Sequence, residues 1–135
     1  MKKTMLSIFI LVVTLFALSA FGGGKTSTAI NVTLAEFTFS PSEFTVPAGE
    51  EISINATNNG AVIHNFVIMK LGQTVGDNYG DEDEVNIYWQ IQAEPGESIS
   101  GTFTAPSEPG DYQVICRTPG HYMAGMIGKL TVVAP

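Results

Sequence analysis

From residue 29 onward, apolar and polar residues alternate one by one in short runs, which is typical of strands that bury one face. The alternation is clearest at Ile30, Val32 and Leu34, and it resumes after each turn. Turns are marked by clusters of proline, glycine and asparagine, as at residues 47–49 and 58–60. Strands at this spacing predict an all-β domain over residues 29–135, built as an antiparallel β-sandwich.

The same alternation predicts where the strands lie: residues 30–39, 44–46, 52–56, 62–69, 97–104, 111–116 and 126–133. Residues 71–96 are the least regular part of the domain. They open with a loop-like stretch and continue with four consecutive acidic residues. The following stretch from Val85 to Ala93 fits either a short helix or a strand.

The N-terminus has the composition of a targeting segment. Lys2 and Lys3 precede an almost unbroken apolar run over residues 5–21. The run is slightly short for a membrane-spanning helix of about 20 residues, and slightly long for a signal-peptide core of roughly 7–15 residues. We therefore expect residues 1–22 to be either a cleaved signal peptide or an uncleaved membrane anchor, and residues 23–28 to be a Gly/Ser/Thr tether. Both alternatives place the domain outside the cytoplasm, in the periplasm or at the outer face of the cytoplasmic membrane.

The chain is acidic, with six Lys and Arg against thirteen Asp and Glu and a formal net charge of −7. Loss of Lys2 and Lys3 with the leader would leave −9. This charge excludes unaided nucleic-acid binding and favours a cationic protein partner. The four acidic residues in the irregular region are either a solvated face or a docking patch for a basic redox partner: Asp81, Glu82, Asp83 and Glu84.

Candidate chemistry is concentrated near the C-terminus. Cys116, the only cysteine, is followed at regular four-residue gaps by His121 and Met126, and the second histidine is His64. A thiolate, two imidazoles and a thioether are the donor set of a copper electron-transfer site. An exported protein with one cysteine cannot form an internal disulfide, and copper ligation would protect the thiol from oxidation.

Cys116, His121 and Met126 at this spacing, with His64 followed directly by Asn65, resemble the cupredoxins, and most closely the auracyanin and halocyanin-like branch. The resemblance implies a Greek-key antiparallel β-sandwich that holds one type 1 blue-copper ion. Its ligands would be His64, Cys116, His121 and Met126, and Asn65 would tie the ligand loops together by hydrogen bonds. It also implies an electron carrier for exported or membrane-associated redox proteins, without enzyme activity. We expect a monomer.

Several apolar residues flank His121. We expect Met123 and Pro119, with Tyr122 and Ala124, to form an apolar patch around the exposed edge of the imidazole. An electron would enter or leave through this patch. The alternative is ordinary loop packing.

Four other kinds of site or function would use the same residue types. A copper enzyme would need a second copper centre and more histidines, and a binuclear site would need a second cysteine. A hydrolase built on Cys116 and His121 would need an acidic orienting residue. A Cu(I) carrier or storage protein remains the main alternative. Outside the site, Tyr112 is expected to pack in the core with its hydroxyl bonded to the backbone.

Overall fold

A computed structural model of the protein describes residues 25–135. The predicted targeting segment, residues 1–22, and the first two residues of the tether lie outside this range. Within residues 25–135, no helix is both long and apolar enough to cross a membrane.

The described chain consists of strands and one short 3-10 helix, Asp81–Asn86. The strands are β1 Ala29–Ala35, β2 Thr38–Ser40, β3 Glu43–Pro47, β4 Glu51–Asn58, β5 His64–Met69, β6 Ile87–Ala93, β7 Ser98–Thr104, β8 Gly110–Ile115 and β9 Ile127–Val133. The stretch from Val85 to Ala93, which fitted a helix or a strand, therefore ends the helix and forms β6.

The strands form two sheets, in the order β2-β1-β4-β7 and β3-β9-β8-β5-β6. The predicted β-sandwich is confirmed, and the sheets are mixed. Two strand pairs, β1 with β4 and β3 with β9, are parallel, and the other pairs are antiparallel. Parallel neighbours need a long crossover between them. Between β1 and β4 the chain crosses to the second sheet, forms β3 there and returns to the first sheet, which provides this crossover.

The core lies between the inner faces of the two sheets. Alternate residues along β1 and β4 are buried, as the period-2 pattern predicts. Phe66 of β5 is fully buried and meets Phe39 and Phe44 edge to face, with ring centroids 5.7 and 5.3 Å apart. Such pairs contribute about 0.5–1.5 kcal/mol each beyond the area they bury. This aromatic cluster supports β5, the strand that begins at His64.

Strand β5 is buried along its whole length. Phe66 and Ile68 face the main core, whereas Val67 and Met69 belong to a second, smaller cluster. The second cluster also contains Val75, and it arises because the irregular segment after β5 folds back over the strand's outer face. This segment also carries the acidic 3-10 helix.

Candidate metal centre

The candidate ligands are brought together by neighbouring strand ends. His64 is the first residue of β5, and Cys116 directly follows the last residue of β8. Strands β5 and β8 are hydrogen-bonded neighbours, so their ligand-bearing ends meet at one edge of the sandwich. His121 and Met126 follow in the loop between β8 and β9.

The three strongest candidate ligands form a buried triangle. The Sγ atom of Cys116 lies 3.9 Å from Nδ1 of His64 and 3.7 Å from Nδ1 of His121. One ligand atom from each of the three residues lies within 4.8 Å of the others. A metal bonded to sulfur at about 2.3 Å and to nitrogen at about 2.0 Å, in a trigonal plane, separates these atoms by about 3.7 Å. The donor set therefore fits a trigonal metal site in both chemistry and spacing.

The loop that carries His121 and Met126 is closed by backbone hydrogen bonds. The N–H of Met126 donates to the carbonyl of His121 at 3.0 Å, and the N–H of Cys116 donates to the carbonyl of Met126 at 3.2 Å. The side chain of Met126 is fully buried and packs in the same cluster as Cys116, whereas Met123 is 67% exposed. Burial with Cys116 thus favours Met126 over Met123 as the candidate ligand.

Asn65 bonds to both ligand-bearing segments. Its backbone N–H donates to the Cys116 sulfur at 3.4 Å. Its side-chain Nδ2 donates to the hydroxyl of Thr118 at 3.4 Å, and that hydroxyl donates to the Ile63 carbonyl at 2.7 Å. The segment before β5 and the loop after β8 are therefore tied together beside the candidate ligands.

Arg117 extends this network toward the surface. Its Nε donates to Oδ1 of Asn65 at 2.9 Å, and its terminal NH1 group donates to the carboxylate of Glu84 at 2.8 Å. Arg117 directly follows Cys116, so it connects the ligand loop to the acidic helix. No motif in the sequence identified Arg117, although its position next to Cys116 was a signal that could have suggested it.

The four acidic residues do not have equal access to solvent. Asp83 is buried, and its carboxylate accepts the N–H of Gly80 at 2.9 Å at the start of the helix. Glu84 is paired with Arg117. Asp81 and Glu82 are exposed. Glu84 is exposed as well, but its charge is paired, so Asp81 and Glu82 carry the exposed charges of this run that have no ion-pair partner among residues 25–135.

The residues expected to form an apolar patch differ in their exposure. Pro119, Ala124 and Met123 are exposed, and Pro119 and Met123 line an open cleft of about 300 Å³ with Asp81. Tyr122 departs from the expectation. It is half-buried against the second cluster, and its hydroxyl donates to the carbonyl of Val75 at 2.9 Å.

Two residues at the turn between β1 and β2 contact the histidines, and no pattern in the sequence identified them. Phe37, which has a φ of +63° and is 47% exposed, packs edge to face on His121 with ring centroids 5.3 Å apart. Glu36 places a carboxylate oxygen 3.9 Å from Nε2 of His64. The alternating pattern predicted one strand over residues 30–39, whereas the chain turns at Glu36 and Phe37 between β1 and β2. The contacts made by this hairpin tip could therefore not be predicted from the pattern.

The electrostatic surroundings favour neutral imidazole. Burial, and then the proximity of His121, lowers the pKa of His64. A neutral imidazole offers the free nitrogen lone pair that a metal requires. The candidate ligand is therefore in a metal-binding protonation state at neutral pH.

Comparison with known proteins agrees with this geometry. A family profile described as copper binding proteins, plastocyanin/azurin family, matches residues 26–133. Auracyanin-A of Chloroflexus aurantiacus is 35% identical over 126 residues, which cover 82% of this chain and 76% of auracyanin-A. A copper-resistant cuproprotein, CopI of Rubrivivax gelatinosus, is 31% identical over 100 residues, covering 70% of this chain and 59% of CopI. The crystal structure of dithionite-reduced auracyanin from Roseiflexus castenholzii is 34% identical with a TM-score of 0.68, covering 81% of this chain and 99% of that one.

Proposed function

Because the chain belongs to the plastocyanin/azurin family of copper-binding proteins, we propose that it shuttles single electrons between redox proteins through one type 1 copper site. The observation that carries this proposal is the buried triangle of His64, Cys116 and His121, with sulfur–nitrogen distances of 3.9 and 3.7 Å. A thiolate and two imidazoles at this spacing are the in-plane donors of such a site.

Each residue has a distinct role in the proposal. His64, Cys116 and His121 would supply the stronger donors to the copper ion, and the thioether of Met126 would supply the weaker one. The backbone N–H of Asn65 donates to the Cys116 sulfur and stabilises its negative charge. Copper would supply one-electron chemistry as Cu(I) and Cu(II). The hydrogen bonds between the two ligand-bearing segments would hold these side chains in place, so that electron transfer needs little rearrangement.

The electron would pass through the edge of His121. This imidazole is 7% exposed, whereas His64 is completely buried. The exposed Phe37 packs on this ring, and Met123 is exposed two residues further along the same loop, so both apolar side chains suit close approach of a partner. Asp81, on the wall of the same cleft as Met123, adds negative charge that attracts a basic docking surface.

We infer a setting that suits such a carrier. The N-terminal segment is proposed to export the protein to the periplasm or the outer face of the cytoplasmic membrane, either as a cleaved signal or as a retained anchor. We propose a monomer with redox proteins as partners and with no catalytic reaction of its own.

The second candidate function is Cu(I) transport or storage, favoured by the similarity to CopI. Against it stands the burial of the site. All three residues of the triangle are buried, and Met126 is fully enclosed. A carrier that hands over its metal needs ligands that a receiving protein can reach. Among the methionines, histidines and cysteine of residues 25–135, only Met123 is exposed.

The visible absorption spectrum after addition of Cu(II) separates the two functions. An electron-transfer site is expected to show an intense thiolate-to-copper band that a mild reductant bleaches, and Cys116→Ser should abolish it. Met126→Leu should shift the band, whereas the matched variant Met123→Leu should leave it unchanged. A colourless protein that binds only Cu(I) would favour the carrier.

A further inference from the structure

The imidazole of His64 has one nitrogen whose partner is not evident. Its Nδ1 faces Cys116, and its Nε2 is buried with no hydrogen-bond partner among residues 25–135. With Nδ1 engaged by a metal, the ring proton must reside on Nε2. A buried N–H without an acceptor is costly, by about 1–3 kcal/mol, and histidine ligands nearly always donate this proton to a carboxylate, carbonyl or water.

Glu36 supplies an acceptor beside this nitrogen. Its Oε1 lies 3.9 Å from Nε2 of His64, and the same oxygen accepts the backbone N–H of Ala61. The bond to Ala61 holds the carboxylate near His64, the first residue of β5. A carboxylate only accepts hydrogen bonds, so it suits the N–H of the ring.

Gly60 leaves the space between these two groups open. A Cβ atom at this position would lie 2.5 Å from Nε2 of His64 and 2.7 Å from Oε1 of Glu36. Any side chain at residue 60 would therefore occupy the path between the imidazole and the carboxylate. The absence of a side chain gives the carboxylate access to the ring.

The backbone around Glu36 is also unusual. The next residue, Phe37, has a φ of +63°, a conformation that a bulky side chain rarely adopts. Its ring packs on His121. The two tip residues of the β1–β2 hairpin thus face one candidate histidine ligand each, which points to a role for the hairpin in holding both rings.

We propose that Glu36 is a positioning residue that accepts a hydrogen bond from Nε2 of His64 and so orients this ring for copper. The proposal rests on the proposed function, because it requires Nδ1 of His64 to bind the metal. The side chain of Glu36 is 45% exposed, and a shift of about 1 Å brings the 3.9 Å separation within hydrogen-bonding range. The bond fixes the tautomer, restricts rotation of the ring and raises its basicity as a ligand.

The test uses two variants of similar size that both remove the charge. Glu36→Gln retains an oxygen acceptor, and Glu36→Leu does not. Glu51→Gln controls for the loss of one negative charge far from the site, because Glu51 begins β4 and Gly60 follows the other end of this strand. The copper-loaded protein is reduced to diamagnetic Cu(I) and labelled with ¹⁵N. Solvent exchange of the His64 ring N–H is measured by NMR, and copper affinity by competition with a chelator.

We expect a slowly exchanging Nε2–H in the wild-type, Glu51→Gln and Glu36→Gln proteins. In Glu36→Leu, exchange should be at least about tenfold faster, because a hydrogen bond to the oxygen is lost. Copper affinity should fall about tenfold in that variant, as is typical when the acceptor of a ligand histidine is removed.

Equal protection in the wild-type and Glu36→Leu proteins would overturn the proposal, since another acceptor would then hold the proton. Equal loss in Glu36→Gln and Glu36→Leu would also overturn it, because charge would then matter more than the acceptor. Neither result would remove the thiolate-to-copper band, so failure of this inference is distinct from failure of the proposed function.

Discussion

Arg117 makes two hydrogen bonds of nearly equal length whose energies should differ. It donates to Asn65 at 2.9 Å and to Glu84 at 2.8 Å. Asn65 is 4% exposed, whereas the side chains of Arg117 and Glu84 are 31% and 46% exposed. A charged hydrogen bond to a buried group contributes about 1.5–3 kcal/mol, and the partial exposure of Arg117 places this one at the lower end, near about 1.5 kcal/mol. Solvent-exposed ion pairs contribute only about 0.2–1 kcal/mol.

Two double-mutant cycles on the copper-free protein measure these energies. One combines Arg117→Met with Asn65→Ala, and the other combines Arg117→Met with Glu84→Ala. The free energy of unfolding is obtained from urea denaturation at about 0.15 M and about 1 M salt, where the Debye length falls from about 8 to about 3 Å. We expect a coupling of about 1.5 kcal/mol with Asn65 at both salt concentrations. The coupling with Glu84 should be below about 0.5 kcal/mol and should disappear at high salt.

A third cycle with Glu51→Ala provides the control, because Glu51 lies at the far end of β4 and distant sites couple by less than about 0.5 kcal/mol. Equal couplings with Asn65 and Glu84, or a coupling with Asn65 that salt screens, would refute the reasoning. Burial would then not determine the strength of these contacts, and Arg117 would act as an ordinary surface charge.

Two further substitutions test the framework of the sandwich. Tyr112→Phe should cost about 1 kcal/mol at pH 7, because it removes the 2.7 Å hydrogen bond to the Glu108 carbonyl. Burial, and then the charge of Glu108, raises the pKa of Tyr112, so the folded state keeps this proton to a higher pH than the unfolded state. Urea denaturation should therefore show that the stability of the wild-type protein falls as the pH rises above about 10, and that the stability of the variant falls less. Gly128→Ala should cost about 1–3 kcal/mol, because its Cβ would lie 2.6 Å from the Ser42 carbonyl oxygen. Gly76→Ala, which meets no atom within 4 Å, should leave the urea midpoint nearly unchanged.

The strands and the candidate ligands could be predicted from the sequence for a physical reason. Residues along β1 and β4 face the core at every second position, and this period is visible without knowledge of the partner strands. Cys116, His121 and Met126 lie on one short loop, so their proximity is largely local. The hydroxyl of Tyr112 bonds to the backbone four residues upstream, as expected for a buried tyrosine.

Contacts between elements distant in the chain could not be predicted in this way. Both faces of β5 carry apolar residues, but the segment that covers its second face has no regular periodicity and could not be identified from the sequence. Asp83 belongs to a run of four acidic residues, but its carboxylate caps its own helix and is buried. Glu36 and Phe37 reach the histidines only because the β1–β2 hairpin folds over the end of the sandwich.

The network around Arg117 connects the ligand loop to the proposed docking surface. Glu84 belongs to the same helix as Asp81, and its ion pair with Arg117 links this helix to Asn65 and the ligand loop. The pair is exposed and screened by salt, so it favours one orientation of the helix without locking it. The hydrogen bond from Arg117 to the buried Asn65 is the stronger one, and it holds the guanidinium beside the ligand loop. A basic partner attracted by Asp81 would therefore be directed toward the side of the domain that carries the ligand loop, and this effect should weaken at high salt.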